Sequence, residues 1–438
     1  MNIQINQCEL IKNSEGVLYN FYIDKKNNLV FTLLEDENIT NNFPFKIDSN
    51  VLDFSVVIDK KDKVQLIYLI ENGTLIHSNY IQNKWTKQSV LKLNTKSNIY
   101  KYLTLFISNG SINIFYACAN LVNVNLWSIE QLTQESSQWK KKTVTSIFSQ
   151  KMLTPFYIDS DSLGNIHLIF KTNEKDSSHI YYLFYNIFIK KWSQIIEKIS
   201  LLKTNNIFPY LFVDSKNNIH ILWSSLENKK YILKYKTLSH IGQNKFRWQT
   251  INLPIVSNCI NTPIMLENNG ILKIIYLKDD EIGCLNSTNY GQSWKVIDKK
   301  KLDVSSIYLL KYSSNFEKEY PNNKINNYYG TIDDNITLFF NDNHNNKISY
   351  NIKDNAENNK NNIEEKINIK HQTQKQNKIT SINKSELIKF KNDILEIKKI
   401  LEEILIISNA MDHELKTIKE KIINVERSKN KKGFFNFK

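Results

Sequence analysis

Five of the seven tryptophans of this 438-residue chain recur in one setting, a polar stretch, then Trp, then a polar–apolar alternation: Trp85, Trp139, Trp192, Trp248 and Trp294. The steps between them are 54, 53, 56 and 46 residues. Pro155, Pro209 and Pro263 keep a 54-residue step of their own, each just ahead of an apolar run. Two residue types held in phase over this distance mean that one small unit is built repeatedly, which restricts the chain to repeat architectures. A third landmark delimits the unit. An acidic residue in a turn is followed about nine residues later by an aromatic that ends a short apolar run: Asp59 with Tyr68, Asp159 with Phe170, Asp214 with Trp223, Glu267 with Tyr276. Asp24 with Leu33, Ser108 with Tyr116 and Asp333 with Phe340 are weaker copies, giving seven units.

Within the unit from Pro209 to Leu253, the pieces Tyr210–Asp214, Ile219–Trp223, Tyr231–Tyr235 and Trp248–Leu253 are short and rich in β-branched and aromatic residues. Bounded by Asn, Asp, Ser or Lys, they read as four strands. Four-stranded antiparallel units of this length, repeated radially, are the blades of a β-propeller. Residues 1–353 are therefore expected to form an all-β, seven-bladed propeller, with six blades as the alternative. The continuous apolar run from Ile219 to Trp223 fits a second strand covered on both faces by neighbouring blades. The seventh unit, with strands around Tyr328–Asp333, Ile336–Phe340 and Lys347–Ile352, lacks a Trp-bearing fourth strand, while Ile3–Ile11 has strand character ahead of the first unit. The N-terminal segment is expected to supply that fourth strand and close the ring, removing two open sheet edges.

The stretch Ser287-Thr-Asn289-Tyr-Gly291-Gln-Ser-Trp294 resembles the Asp-box, Ser-x-Asp-x-Gly-x-x-Trp, of sialidase-like β-propellers, with Asn289 in place of the usual Asp. At Asn79–Trp85 and Asn186–Trp192 the Trp remains while the turn has diverged. The resemblance implies a structural hairpin between third and fourth strands, held by Ser287, Asn289, Gly291 and Trp294, with the Asn side chain accepting backbone N–H bonds. Enzymes of that superfamily grip a substrate carboxylate with three arginines, and use a Tyr–Glu nucleophile pair with an Asp acid. Arg247 is the only arginine before residue 353, and lysine lacks the bidentate fork, so sialidase activity is not expected. Other propeller glycosidases need only two or three inward carboxylates. Asp59, Asp159, Asp161, Asp214, Glu267 and Asp333 could supply them, but their recurrence at equivalent places reads as a repeated turn-forming residue. His167 and His220, each in Asn-Ile-His, read as a packing position with one satisfied ring nitrogen. There is no Ser–His–Asp spacing, His-Glu-x-x-His pattern or Gly-rich phosphate loop, and Gly totals only 10. No catalytic, cofactor-binding or metal residue is assigned.

The formal net charge of +14 raises nucleic acid and anionic membranes as partners. Only Arg247 and Arg427 among the 58 basic residues are arginine. The bidentate contacts by which proteins read bases and phosphates are thus nearly absent, which argues against nucleic acid. Cys8, Cys118, Cys259 and Cys284 are far apart without a Cys-x-x-Cys pair and read as buried free thiols. The N-terminus lacks the pattern of a secretory signal, and no apolar run approaches a membrane span. A cytoplasmic protein is expected, with a peripheral place on a membrane or in a cell-surface or spore-layer assembly as the variant.

Residues 354–384 are dominated by Asn, Lys, Gln and Glu and read as a flexible linker. From Ser385, apolar residues fall on an a/d register: Leu387, Phe390, Ile394, Ile397, Leu401, Ile404, Met411, Leu415, Ile418, Ile422 and Val425, with no Pro or Gly to residue 428. That is a coiled coil, and Ile at both a and d favours three or four strands over two, so a homo-oligomer is expected. The tail, 429–438, carries Lys431, Lys432, Phe434, Phe435 and Phe437, suited to an anionic bilayer or a partner's groove. The whole reads as a non-enzymatic ligand-binding or scaffold propeller, multimerised by its helix, that recognises a glycan, peptide or structural protein at the channel mouth. The alternatives are a carbohydrate-active hydrolase and a membrane-peripheral adaptor held by the tail.

Overall fold

The computed structural model describes residues 8–340 apart from 35–43, 82–83, 136–137, 150–152, 202–203, 240–246, 303–306, 317, 320–322 and 333–335. The linker, the heptad helix, the tail, the Lys347–Ile352 strand and Asp333 lie outside the described residues, which are all-β. They form six sheets, numbered here in chain order, five of them antiparallel throughout. Sheet two is Val51–Ile58, Val64–Ile70, Thr74–Ile81 and Lys84–Lys92. Sheet three is Asn98–Ser108, Ser111–Asn120, Asn123–Glu135 and Gln138–Phe148. Sheet four is Tyr157–Ser160, Ile166–Glu174, Ser177–Asn186 and a broken fourth strand, Lys191–Trp192 and Glu197–Lys198. Sheet five is Asn206–Val213, Ile219–Glu227, Lys230–Leu238 and Trp248–Thr250. Sheet six is Ile264–Asn268, Ile271–Lys278, Glu281–Ser287 and Lys295–Lys301, with Asn323–Ile325 added beside its first strand.

Sheet one differs. Its Cys8–Lys12, Leu18–Ile23, Leu29–Leu34 and Phe45–Asp48 form a meander like the others, but Cys8–Lys12 also pairs in parallel with Tyr308–Ser314, which continues to Asn327–Ile332 and Ile336–Leu338. The N-terminal strand does join the last unit. It does so as the first strand of its own meander, against the first strand of the last, and not as the outer fourth strand expected from the sequence. Adjacent first strands of a ring of blades run in one direction, so parallel pairing is the geometry such a closure requires. All five residues of Cys8–Lys12 are buried. In sheet five the second strand is buried continuously from Ile219 to Ser225, as the apolar run of Ile219–Trp223 requires.

The tryptophan interval has a physical origin. Each Trp stands at or next to the start of a fourth strand and meets one third-strand residue of the preceding sheet. Trp85 lies edge-on to Phe31 (6.0 Å, 72°), Trp139 to His77 (6.0 Å, 75°), Trp248 to Tyr182 (5.1 Å, 80°) and Trp294 to Tyr235 (5.4 Å, 81°). Trp192 donates its Nε1–H to Gln131 Oε1 at 2.8 Å. Edge-to-face pairs contribute about 0.5–1.5 kcal/mol each beyond area burial. With Tyr329 of the last unit donating to the Thr262 carbonyl of sheet six, successive sheets contact in chain order and the last unit rejoins the first, the arrangement of a β-propeller.

Candidate functional site

The acidic residues singled out by their spacing fall into two groups. Asp24, Asp59, Asp161 and Asp214 each open the same five-residue turn: the carboxylate Oδ1 accepts the backbone N–H groups two and four residues on. The fourth turn position has positive φ, at Asn27 (57°), Asp62 (58°), Gly164 (90°) and Asn217 (63°), and Gly, Asn and Asp are the residues that tolerate it. Asp159 and Glu267 are not turn residues, contrary to the expectation; they lie in first strands and bond between sheets. Asp159 accepts Val213 N–H at 2.7 Å, and Glu267 accepts Ser215 N–H at 2.7 Å and its hydroxyl. Glu9 and Asp53 do the same, accepting Val56 N–H (2.6 Å) and Leu103 N–H (2.9 Å). Sequence reasoning missed this pair because no turn or spacing marks an acid inside a strand.

At these first strands the chain meets itself. Lys324 donates to Asp159 Oδ1 at 2.8 Å and Asn326 to Oδ2 at 3.2 Å, Asn327 Oδ1 accepts the Tyr210 hydroxyl, and Lys311 bonds Ser55 and lies 3.5 Å from Glu9. Residues of Tyr308–Ser314 and of 323–327 therefore touch the first strands of sheets one, two, four, five and six. Burial holds the Glu9 carboxyl above the usual glutamate range, Lys311 and the Val56 N–H pull it back, and nearby Asp53 adds to the rise. Among the described residues, no three His, Cys, Asp or Glu side chains converge as a metal set. The four cysteines are free thiols, Cys8, Cys259 and Cys284 buried.

The two histidines lie in parallel relays. His220 Nε2 is 3.0 Å from Asp214 Oδ2 and Nδ1 2.6 Å from the Tyr235 hydroxyl. His167 Nδ1 is 2.7 Å from the Tyr182 hydroxyl, with Nε2 3.7 Å from Asp161. Sheet two places Gln65 and His77 at the same positions (3.0 Å), and sheet three Asn113 and Gln131 (3.0 Å). These chains run from a first turn through the sheet toward the tryptophan of the next, and all are buried.

Ser287, Asn289, Gly291 and Trp294 sit in the hairpin between third and fourth strands of sheet six. Asn289 Oδ1 accepts Ser293 N–H and the Ser287 hydroxyl, both at 2.9 Å; Ser287 Oγ accepts Gly291 N–H at 2.9 Å, and Trp294 donates to the Gly291 carbonyl at 3.2 Å. Gly291 has φ 84°, and a Cβ there would fall on the Tyr235 hydroxyl of sheet five.

An open cleft of about 420 Å³ lies between sheets one and two, lined by Tyr19, Lys61, Asp62, Lys63, Val64, Tyr80 and Ile81. Its size is within the range of small-ligand sites. Tyr19 stacks on Phe31, and Tyr80 packs 4.9 Å from Trp85, so the aromatic wall is anchored in the core. Asp59 is taken up by its own turn, and Asp62 by Ser14 and Asn315. Among the described residues, neither Lys61 nor Lys63 has a carboxylate at ion-pair distance. The cleft thus offers fixed aromatic surface beside two ammonium groups.

No family model and no curated protein matches this chain. Among solved structures, it is similar to the SapL1 lectin in complex with α-methyl fucoside, at 9% identity and TM-score 0.39 over 69% of this chain and 97% of that one. It is similar to a mutant Aleuria aurantia lectin in complex with Fucα1-6GlcNAc, at 11% identity and TM-score 0.39 over 69% and 97%. A thermostable family-43 glycoside hydrolase matches at 12% identity and TM-score 0.34 over 58% and 95%.

Proposed function

We propose that this protein is a non-enzymatic recognition platform that binds a glycan in the cleft between sheets one and two. We count seven blade units, the first and last fused in sheet one, and read the sheet-six hairpin as an Asp-box. The observation that carries the reading is the engagement of the axial carboxylates. Most glycosidases hydrolyse with two carboxyl groups about 5–10 Å apart and open to the sugar. Glu9, Asp53, Asp159 and Glu267 instead accept N–H groups of the neighbouring sheet, and Lys311 and Lys324 lie beside Glu9 and Asp159. In the cleft, rigid tyrosine faces suit the apolar faces of sugar rings, and the turn's charged groups suit hydroxyls. Several copies joined through residues 385–428 would convert weak single-site binding into avidity.

The test is a glycan array and titration calorimetry with the full chain and its K61A/K63A variant. Glycan retention by the wild type, weakened about ten-fold or more in the variant, with no reducing sugar released, is the expected result. Release of sugar from any retained glycan, or retention indifferent to the substitutions, overturns the reading.

A further inference from the structure

The outer edge of sheet four breaks the pattern of its neighbours. The turn between its third and fourth strands holds Ile187-Phe188-Ile189-Lys190 where sheet six holds Tyr290-Gly291-Gln292-Ser293. Phe188 and Ile189 are 75% and 64% exposed at the tip. They do not hang on a loose loop. Asn186 Oδ1 accepts the N–H of both, at 3.0 and 3.2 Å, Lys190 adopts φ 51°, and Trp192 ties the turn to Gln131 of sheet three. The fourth strand then breaks, and in the break Ile195 is 77% exposed and Ile196 44%. Two large apolar residues fixed at a convex tip, with two more alongside, leave a cost in water that the fold itself does not relieve.

The two charged residues of the tip, Lys190 and Lys191, are both basic and exposed; the nearest acid on the strand, Glu197, also exposed, lies beyond Ile195 and Ile196 and accepts the Trp248 Nε1–H at 2.6 Å. We infer that this edge of sheet four seats on an anionic lipid bilayer, Phe188 and Ile189 entering the acyl boundary while Lys190 and Lys191 meet the headgroups. A convex tip penetrates a fluid interface, whereas a protein partner would need a complementary groove and roughly 800 Å² of contact per side. The surface is distinct from the basic–aromatic tail and independent of the glycan reading.

The experiment is co-sedimentation of the full chain with phosphatidylcholine vesicles, with and without about 30% phosphatidylserine. The wild type is compared with F188S/I189S, with K190E/K191E, and with a tail variant, F434S/F435S/F437S. The expected result is binding to the phosphatidylserine vesicles that falls about ten-fold or more in F188S/I189S, falls in K190E/K191E, and persists in the tail variant. Because these side chains are exposed, unchanged melting and glycan retention of F188S/I189S show that it is folded. The inference is overturned if the wild type does not sediment with anionic vesicles, if folded F188S/I189S binds as the wild type does, or if all binding follows the tail.

Discussion

His77 shows how one repeat position takes different residues at different costs. It stands where sheet three has Gln131 and sheets four and five have Tyr182 and Tyr235, and its Nε2–H donates to Gln65 Oε1. Burial lowers its pKa to about 4, and the ring is neutral in the fold. The unfolded ring titrates near 6.5, so between about pH 6.5 and 4 the unfolded chain binds the extra proton. Stability is therefore lost as pH falls through that window. Asp161 titrates in a second window. Burial opposes ionisation, but the nearby His167 ring and the Asn165 donors outweigh it and bring the carboxyl to about 2. Its contribution is complete above about pH 4 and is lost as pH falls toward 2. Gln at position 77 would reproduce the sheet-three arrangement and give the buried, unpaired Trp139 Nε1 the acceptor that Gln131 gives Trp192. The expected outcome for H77Q is a melting temperature at pH 7 equal to or above wild type and a smaller fall between pH 6.5 and 4. Equal falls in both proteins would show that His77 does not set this limb.

At the scale of elements, the sequence showed those parts of the fold that repeat with a side-chain marker. The tryptophans reported fourth strands because each must meet a fixed partner in the preceding sheet, and the prolines reported first strands. The Asp turns were legible too, although Asp161, not Asp159, proved equivalent to Asp59 and Asp214. What was not legible had no periodic requirement behind it. Tyr308–Ser314 carries no landmark, and the approach of Lys324 to Asp159 occurs once. The candidate cleft was equally hidden: Tyr19, Lys61 and Tyr80 are ordinary residues of three strands and turns until sheet one packs on sheet two. The closing strand tests the account most directly. Cys8–Lys12 bonds to Leu18–Ile23 on one side and Tyr308–Ser314 on the other, and Glu9 clasps Val56. Removing residues 1–12 exposes two sheet edges and takes the buried Leu10 and Ile11 out of the core, each contributing about 1.5–3 kcal/mol on burial. A loss of cooperative melting, or a fall of many degrees measured by calorimetry, is the expected outcome; an unchanged transition would mean that the ring closes elsewhere.

At the scale of the whole molecule, the proposed reading has to say what the heptad pattern of residues 385–428 would add to a glycan-binding ring. A single cleft with two tyrosines and two lysines on one rim would bury little of a sugar, and such contacts fall short of the affinity that buried hot spots provide. As a helix, residues 385–428 would carry eleven apolar residues on twelve a/d positions and would leave a continuous seam in water unless they met other helices, the isoleucines favouring three or four. On the proposed reading, a polar stretch of about thirty residues, 354 to 384, would span roughly 30 Å on average if it behaved as a flexible chain, enough for clustered rings to reach separate sites on one surface. Both the glycan reading and the bilayer reading gain from that geometry, because each converts later contacts into intramolecular ones. Light scattering on size-exclusion fractions should give three or four times the chain mass for residues 1–438, and the monomer mass for 1–353. The second protein should keep its affinity for soluble monovalent glycan while losing retention on a dense glycan or vesicle surface by 10²-fold or more. Equal masses would remove the helix as the clustering device, and equal retention on dense surfaces would show that each ring binds alone.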